Sequence, residues 1–215
     1  MSRIVLIGSS SAIAKSLQNQ SNREFVCFTR SNGFDISGDL SELDELEDIN
    51  GLVYFPGTIN LKPFTMLKEQ DYQNDLDINF LGAVKVVKKL IGKLKEADGA
   101  SVVFISTVAA SIGLPFHASI SPSKAALEAY ARSMAAEYAG AKVSFNVVAP
   151  SLANTPMAEN LLKTDRLIEA SKERNPMKQI VAGTKPVLVG ALPQCLRSRP
   201  PSTLAKAPIP SEASV

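Results

Sequence analysis

The chain has 215 residues, 45% apolar and 20% charged, with a formal net charge of +2 from 23 basic and 21 acidic side chains. That size predicts one globular domain with a sizeable core. A charge so nearly balanced supplies no broad field for nucleic acid or an anionic membrane, which leaves small molecules and protein subunits as the expected partners. Two cysteines, Cys27 in an apolar strand pattern and Cys195 in a proline-rich stretch, argue against a disulfide framework or a cysteine-based metal site. With no signal-like N-terminus and no apolar run near the roughly 20 residues of a membrane helix, the expectation is a soluble, unprocessed, cytoplasmic protein.

A strand from Arg3 to Ile7 comes first and runs into Gly8, after which a helix starts. Further strands follow at about Phe25 to Phe28, Leu52 to Phe55, Ser101 to Ile105 and Val143 to Val148, each bounded by Gly, Pro, Ser or Asn. The stretch from Thr29 to Asn50 is too short for two more βα units. One strand is therefore expected to be stunted there, with Gly33-Phe34-Asp35-Ile36 as its remnant and an acidic helix from Ser41 to Glu47 behind it. Phe80, Val84, Val87, Ile91 and Leu94 recur at threes and fours and put an apolar stripe on a helix of about Ile78 to Lys95. A second long helix, at about 121–139, has Pro122 in its first turn and Leu127, Tyr130, Met134 and Tyr138 along one face, with Gly140 as a left-handed stop. These stripes read as core or as subunit contact, so a homodimer or homotetramer through the helices at about 78–95 and 121–139 is expected. Leu161, Leu162, Leu167 and Ile168 predict a helical lid.

Short β-branched runs alternating with helical stretches predict an α/β fold: a doubly wound parallel sheet of Rossmann type in three layers, shortened after its second strand. Beyond about Pro176 the character changes. Five of the 13 prolines lie between Pro193 and Val215, and Glu212 is the only acidic residue after Arg174. Residues 1–178 thus read as a dinucleotide-binding domain and 179–215 as a tail of low order. The abrupt change near Ile180 predicts a shifted reading frame or a recombined end, leaving the sheet without its last strand.

Gly8-Ser9-Ser10-Ser11-Ala12-Ile13-Ala14 joins the first strand to its helix. A helix start carries unpaired N–H groups and partial positive charge, which makes it ready to take a phosphate. The usual three-glycine fingerprint is reduced here to Gly8, with Ala12 and Ala14 at the other two places. Taken alone, the segment reads equally well as a serine-rich turn capping an ordinary helix.

Downstream segments point one way together. Asp35-Ile36, Tyr54-Phe55-Pro56-Gly57, Asn79, Val103-Phe104-Ile105-Ser106-Thr107, Ser123-Lys124-Ala125-Ala126, and Pro150 with Thr155 and Met157 stand in the order and spacing that resemble the short-chain dehydrogenase/reductase family over roughly Ser2 to Lys178. The resemblance implies that Gly8, Ser9, Ser10, Ser11 and Ile13 hold the dinucleotide's phosphates. It places Asp35 and Ile36 beside the adenine, and Phe55, Pro56, Gly57, Pro150 and Thr155 along the cofactor. Asn79, Ser106, Thr107 and Lys124 take the family's reaction centre, where lysine holds the nicotinamide ribose and a hydroxyl at Thr107 meets the substrate oxygen. Four residues before Lys124, where the family keeps a tyrosine as proton donor, this chain has Ile120. His117, Ser119, Ser121 and a water are the candidate replacements, and His117 has the best intrinsic pKa for the task. Thr29 and Arg30 end the second strand without the acidic residue that accepts the ribose hydroxyls of NAD, so NADP is preferred over NAD as cofactor.

The implied function is an NAD(P)-dependent oxidoreductase moving hydride between a nicotinamide and a small carbonyl or alcohol substrate. The second reading is a catalytically silent dinucleotide-binding protein that senses cofactor or serves as a subunit partner.

Overall fold

Both faces of β1 (Arg3–Ile7) are buried: Val5 and Ile7 point to one side and Ile4 and Leu6 to the other, as the strand period of two dictates. The computed structural model describes residues 3–173, 180–182 and 204–206. In it β1 pairs in parallel with β2 (Phe25–Phe28) on one side and β3 (Ile49–Tyr54) on the other. From β3 the sheet continues through β4 (Ala100–Ile105) and β5 (Val143–Ala149), again in parallel. α1 (Ala12–Asn19) follows β1; α2 (Glu69–Leu76) and α3 (Gly82–Glu96) link β3 to β4. The single turn α4 (Ala109–Ile112) and the long α5 (Ile120–Tyr138) link β4 to β5, and α6 (Asp165–Glu173) comes later. On one face Leu52, Tyr54, Val102, Phe104, Phe145 and Val147 meet Val86, Leu90 and Leu94 of α3 and Leu127, Ala131 and Ala135 of α5. On the other, Ile4, Leu6, Val53, Val103 and Val148 pack under Ala14 and Leu17 of α1. This is the doubly wound parallel sheet that the sequence predicts.

Several local expectations change. Gly33-Phe34-Asp35-Ile36 forms no strand, and Ser41–Glu47 forms only a 3-10 turn at Ser41–Leu43. Phe34, Ile36, Leu40, Leu43 and Leu46 are nonetheless buried, so the segment is held by its apolar side chains rather than by a ladder. Gly140 is not the left-handed stop: a 3-10 turn carries the chain on to Lys142, which takes φ +58. The long helix starts earlier than Ile78. Its first two turns, Glu69-Gln70-Asp71-Tyr72-Gln73-Asn74-Asp75-Leu76, are polar and carry no apolar stripe, and they run through a π-helical turn (Asp77–Leu81) into α3.

The sheet edge beyond β5, expected to lack a final strand, carries a short one. β8 (Leu204–Lys206) pairs in parallel with Val147–Ala149, and three residues among prolines are too few to show a strand period. A separate ladder joins β6 (Ala153–Asn154) to β7 (Val181–Ala182). The rest of 179–215, Cys195 included, lies outside the described residues, as does 174–178. Among the described residues no helix is long and apolar enough to cross a membrane, and no group of three His, Cys, Asp or Glu gathers as a metal site.

Candidate active site at the carboxyl edge of the sheet

Because all these strands are parallel, the segments leaving β1, β2, β3, β4 and β5 emerge on one edge. That edge collects Gly8, Thr29, Phe55, Ser106 and Pro150. From β1 the chain winds outward to β2, then returns to β3 on the opposite side, so the winding reverses between β1 and β3. The crevice at such a reversal is where open α/β sheets bind their ligands.

Gly8 stands at the reversal. Its φ of +77 is left-handed backbone, and a Cβ there would come within 3.1 Å of the Pro56 ring at the end of β3. The turn it makes is tied back by its own N–H to the Phe28 carbonyl at 2.8 Å. Ser11 caps α1, accepting from the Ala14 N–H at 3.1 Å. Helix geometry leaves the Ala12 and Ile13 N–H groups without an intrahelical partner, pointing out of the helix start. Ser10 is exposed beside them, whereas Ser9 is buried and its carbonyl accepts from the Gln18 amide.

On the other side of the reversal, Asn79 lies in the π-helical turn and is fully buried. Tyr54 helps fix it there. The wider turn sends the Gly82 N–H to the Asp77 carbonyl, and the fully buried Tyr54 hydroxyl donates to the carbonyl of Ile78 at 2.6 Å. Gly82 is required at this place, since a Cβ would overlap the Tyr54 hydroxyl. Burial raises the Tyr54 phenol well above its usual range and the Tyr130 phenol to about 12. Tyr54 lies in the core and half-buried Tyr130 packs against it, both as neutral groups.

The Asn79 amide donates to Thr58 Oγ1 and to the Asp75 carbonyl, each at 2.8 Å, and its Oδ1 accepts from the Thr58 N–H. Thr58 Oγ1 donates in turn to the Asp75 carboxylate. Gly57 is the hinge of the cluster: a Cβ there would sit 3.1 Å from Asn79 Oδ1 and 3.3 Å from Lys124 Nζ. Lys124, at the start of the second turn of α5, reaches over the end of β4 and donates to the Ile105 carbonyl at 2.8 Å. It is buried, which pushes its amine down to about 8, and the Asp75 carboxylate pulls the other way.

The remaining sequence candidates scatter around this centre. Thr107 is half-buried at the end of β4 and its hydroxyl accepts from the Ala109 N–H. Ser106 turns inward instead and donates to buried Glu128 at 2.7 Å, which seats it in the seam between β4 and α5. His117 Nδ1 lies 2.7 Å from the Pro115 carbonyl, tying the ring to its own loop. Ser121 donates to the Ala109 carbonyl, and the buried Ser119 hydroxyl has no partner. Ile120 opens α5 and is itself buried. Thr29 caps a 3-10 turn with Asn32, and Arg30 beside it is exposed. Asp35 is exposed and accepts from the Ser37 N–H, while Ile36 packs into the core. The Pro150 carbonyl accepts from Val108 N–H, and Thr155 leads into a 3-10 turn at Pro156–Leu161.

A family model described as enoyl-(acyl carrier protein) reductase matches residues 41–191. The chain belongs to the short-chain dehydrogenase/reductase family. Among relatives of this family it is 26% identical to a tropinone reductase homologue of Arabidopsis thaliana, over 61% of this chain and 50% of that protein. It is 27% identical to a tropinone reductase homologue of Datura stramonium, over 70% and 63%, and 32% identical to the 3-oxoacyl-[acyl-carrier-protein] reductase of Synechocystis, over 66% and 58%. The chain thus spans between half and two thirds of the length of these relatives. Solved structures share the fold. A short chain dehydrogenase family protein of Francisella tularensis superposes with a TM-score of 0.81 at 16% identity, over 96% of this chain and 98% of that one. A small-chain dehydrogenase in complex with NADPH gives 0.83 at 18%, over 95% of each.

Sequence reading missed Thr58, Asp75 and Glu128. Two of them carried a signal: Asp75 is four residues before Asn79 and Glu128 four after Lys124, each one helical turn from a residue already singled out.

Proposed function

We propose that this short-chain dehydrogenase/reductase family member binds a nicotinamide dinucleotide, NADP in preference to NAD, and moves hydride between it and a small carbonyl or alcohol. The carrying observation is the crevice between β1 and β3, where the Gly8 turn meets Pro56 and where Gly57 brings Asn79 and Lys124 together. The residues present fit the cofactor. The left-handed Gly8 opens a cradle that any side chain would fill, and the start of α1 offers N–H donors to a pyrophosphate. Exposed Arg30 suits a ribose phosphate, which favours NADP. A bound reduced nicotinamide would supply hydride to a carbonyl carbon. Around it, Lys124 holds the ribose, Thr107 positions the substrate oxygen, and Asn79 orders the polar cluster beside them. A neighbour solved with NADPH supports the same choice of cofactor.

Ile120 favours a second reading, a silent dinucleotide-binding protein, because a buried alkyl side chain donates no proton. A panel of small aldehydes and ketones assayed with NADPH separates the two. The oxidoreductase reading expects slow turnover of at least one carbonyl by the wild type, with Ile120→Tyr faster by about 100-fold, the low end of what a positioned acid supplies. Turnover found only in Ile120→Tyr contradicts it and supports the silent reading.

A further inference from the structure

Asp75 is a carboxylate in an unexpected place. It is 1% exposed, one of its oxygens accepts from Thr58 Oγ1, and the other, Oδ2, has no hydrogen-bond partner. Leaving a buried polar oxygen unpaired is costly and is tolerated where a counter-charge or a ligand meets it. A counter-charge stands nearby, the Lys124 amine, within electrostatic reach of the carboxylate though not in ion-pair contact with it. α2 and the π-helical turn pack directly against α5, and the chain Asp75–Thr58–Asn79 ends at Gly57, against which the Lys124 amine also rests.

We propose that Asp75 is a positioning residue: fixed by Thr58 beside Asn79, its carboxylate holds the proton on the Lys124 amine, so that Lys124 itself protonates the substrate oxygen at a centre where residue 120 is isoleucine. The inference rests on the oxidoreductase reading and deepens it. In the reducing direction, the carbonyl carbon takes hydride from a reduced nicotinamide and the C=O π pair moves to oxygen. That oxygen takes a proton from Lys124 Nζ, leaving a neutral amine, an alcohol and an oxidised nicotinamide. Water then returns the proton to the amine.

The surroundings single out this pair. Of the charged groups on elements packed against Lys124, Asp71 of α2 is paired with Lys62, and Asp77 of the π turn is exposed and accepts from Gln73. Glu128 on α5 accepts from Ser106. Tyr54 in the core and Tyr130 packed against it are neutral phenols. The ammonium has three donors, and the Ile105 carbonyl takes one. An amine titrating near 8 also suits general acid work close to neutrality.

The test is carbon-13 NMR of the lysine Cε signals in the full chain without cofactor, with Lys124 assigned through Lys124→Met. In Asp75→Asn the Lys124 titration midpoint should fall by about one pH unit, as loss of a nearby opposite charge requires. The alkaline limb of turnover should move down with it. An unchanged midpoint in folded Asp75→Asn overturns the proposal. Should that variant not fold, the wild type still decides: the Asp75 carboxyl signal should shift with the Lys124 midpoint, and an Asp75 signal indifferent to that midpoint overturns it too. NADPH binding, followed in parallel by fluorescence, keeps the two failures apart. A chain that shows the coupling but binds no nicotinamide keeps the Asp75–Lys124 pairing and loses the function reading together with the proton transfer built on it; a chain that binds NADPH without the coupling loses the pairing alone.

Discussion

Lys124→Met should reduce turnover by about 1,000-fold, within the range that loss of a positioned acid produces, and weaken NADPH binding by about tenfold or more through loss of a charged hydrogen bond. The same substitution should flatten the pH dependence of stability that the buried amine creates, while leaving the Asp75 carboxylate buried without its counter-charge, a cost of its own. Burial lowers the amine from its usual value near 10.5 to about 8, so the folded chain binds this proton less tightly than the unfolded chain does. Below about 8 the group is charged in both states and its burial is a cost. Between about 8 and 10.5 the unfolded state binds more protons, and stability rises with pH. At about 1.4 kcal/mol per pH unit the rise amounts to about 3–4 kcal/mol at most. Methionine has similar length and no charge, so Lys124→Met should remove that rise; the relief of the buried cation is offset by the Asp75 carboxylate left without its counter-charge. Thermal unfolding from pH 6 to 10, wild type against variant, reads both effects. A variant whose stability still rises between about pH 8 and 10 as the wild type's does would contradict the picture of Lys124 as a buried cation kept for function.

Gly8→Val carries the second large effect. A side chain at φ +77 costs about 1–3 kcal/mol in backbone strain, and its Cβ would press on Pro56 at 3.1 Å. For a chain of this length the melting temperature should fall by about 2–12 °C, at roughly 2–4 °C per kcal/mol. NADPH affinity should fall further, by about 100-fold or more, since displacing the turn removes charge-assisted bonds worth about 1.5–3 kcal/mol each. Melting and fluorescence titration of the same sample separate loss of fold from loss of site. Unaltered NADPH affinity in a folded Gly8→Val would move the nucleotide away from this crevice.

The main architecture was legible because it rests on patterns that a sequence displays. β1 to β5 are short β-branched runs, and α5 has its Pro122 and its apolar face, so period and punctuation place them. Polar α2 was not legible, because no apolar stripe of its own holds it in place. It is anchored through the adjoining π turn, which depends on the Tyr54 hydroxyl and the absent Cβ of Gly82. Those contacts lie far apart in sequence. β8 was hidden for a different reason, being too short for a period and made only by its pairing with β5. At the site, Asn79 and Lys124 could be named from motif spacing. Their linkage through Gly57, Thr58 and Asp75 could not, since it depends on the β3–α2 connection folding back on the helix. Ser106 and Thr107 show the same limit: adjacent in sequence, one bonds Glu128 in the core and the other sits at the strand end.

The proposed function requires that the crevice between β1 and β3 hold a nicotinamide dinucleotide, NADP more tightly than NAD. Fluorescence titration of the wild-type chain with NADPH and with NADH, in the same buffer, tests it most directly. Saturable binding of both, tighter for NADPH, is the predicted result; no saturable signal from either, in protein that melts cooperatively, would contradict it.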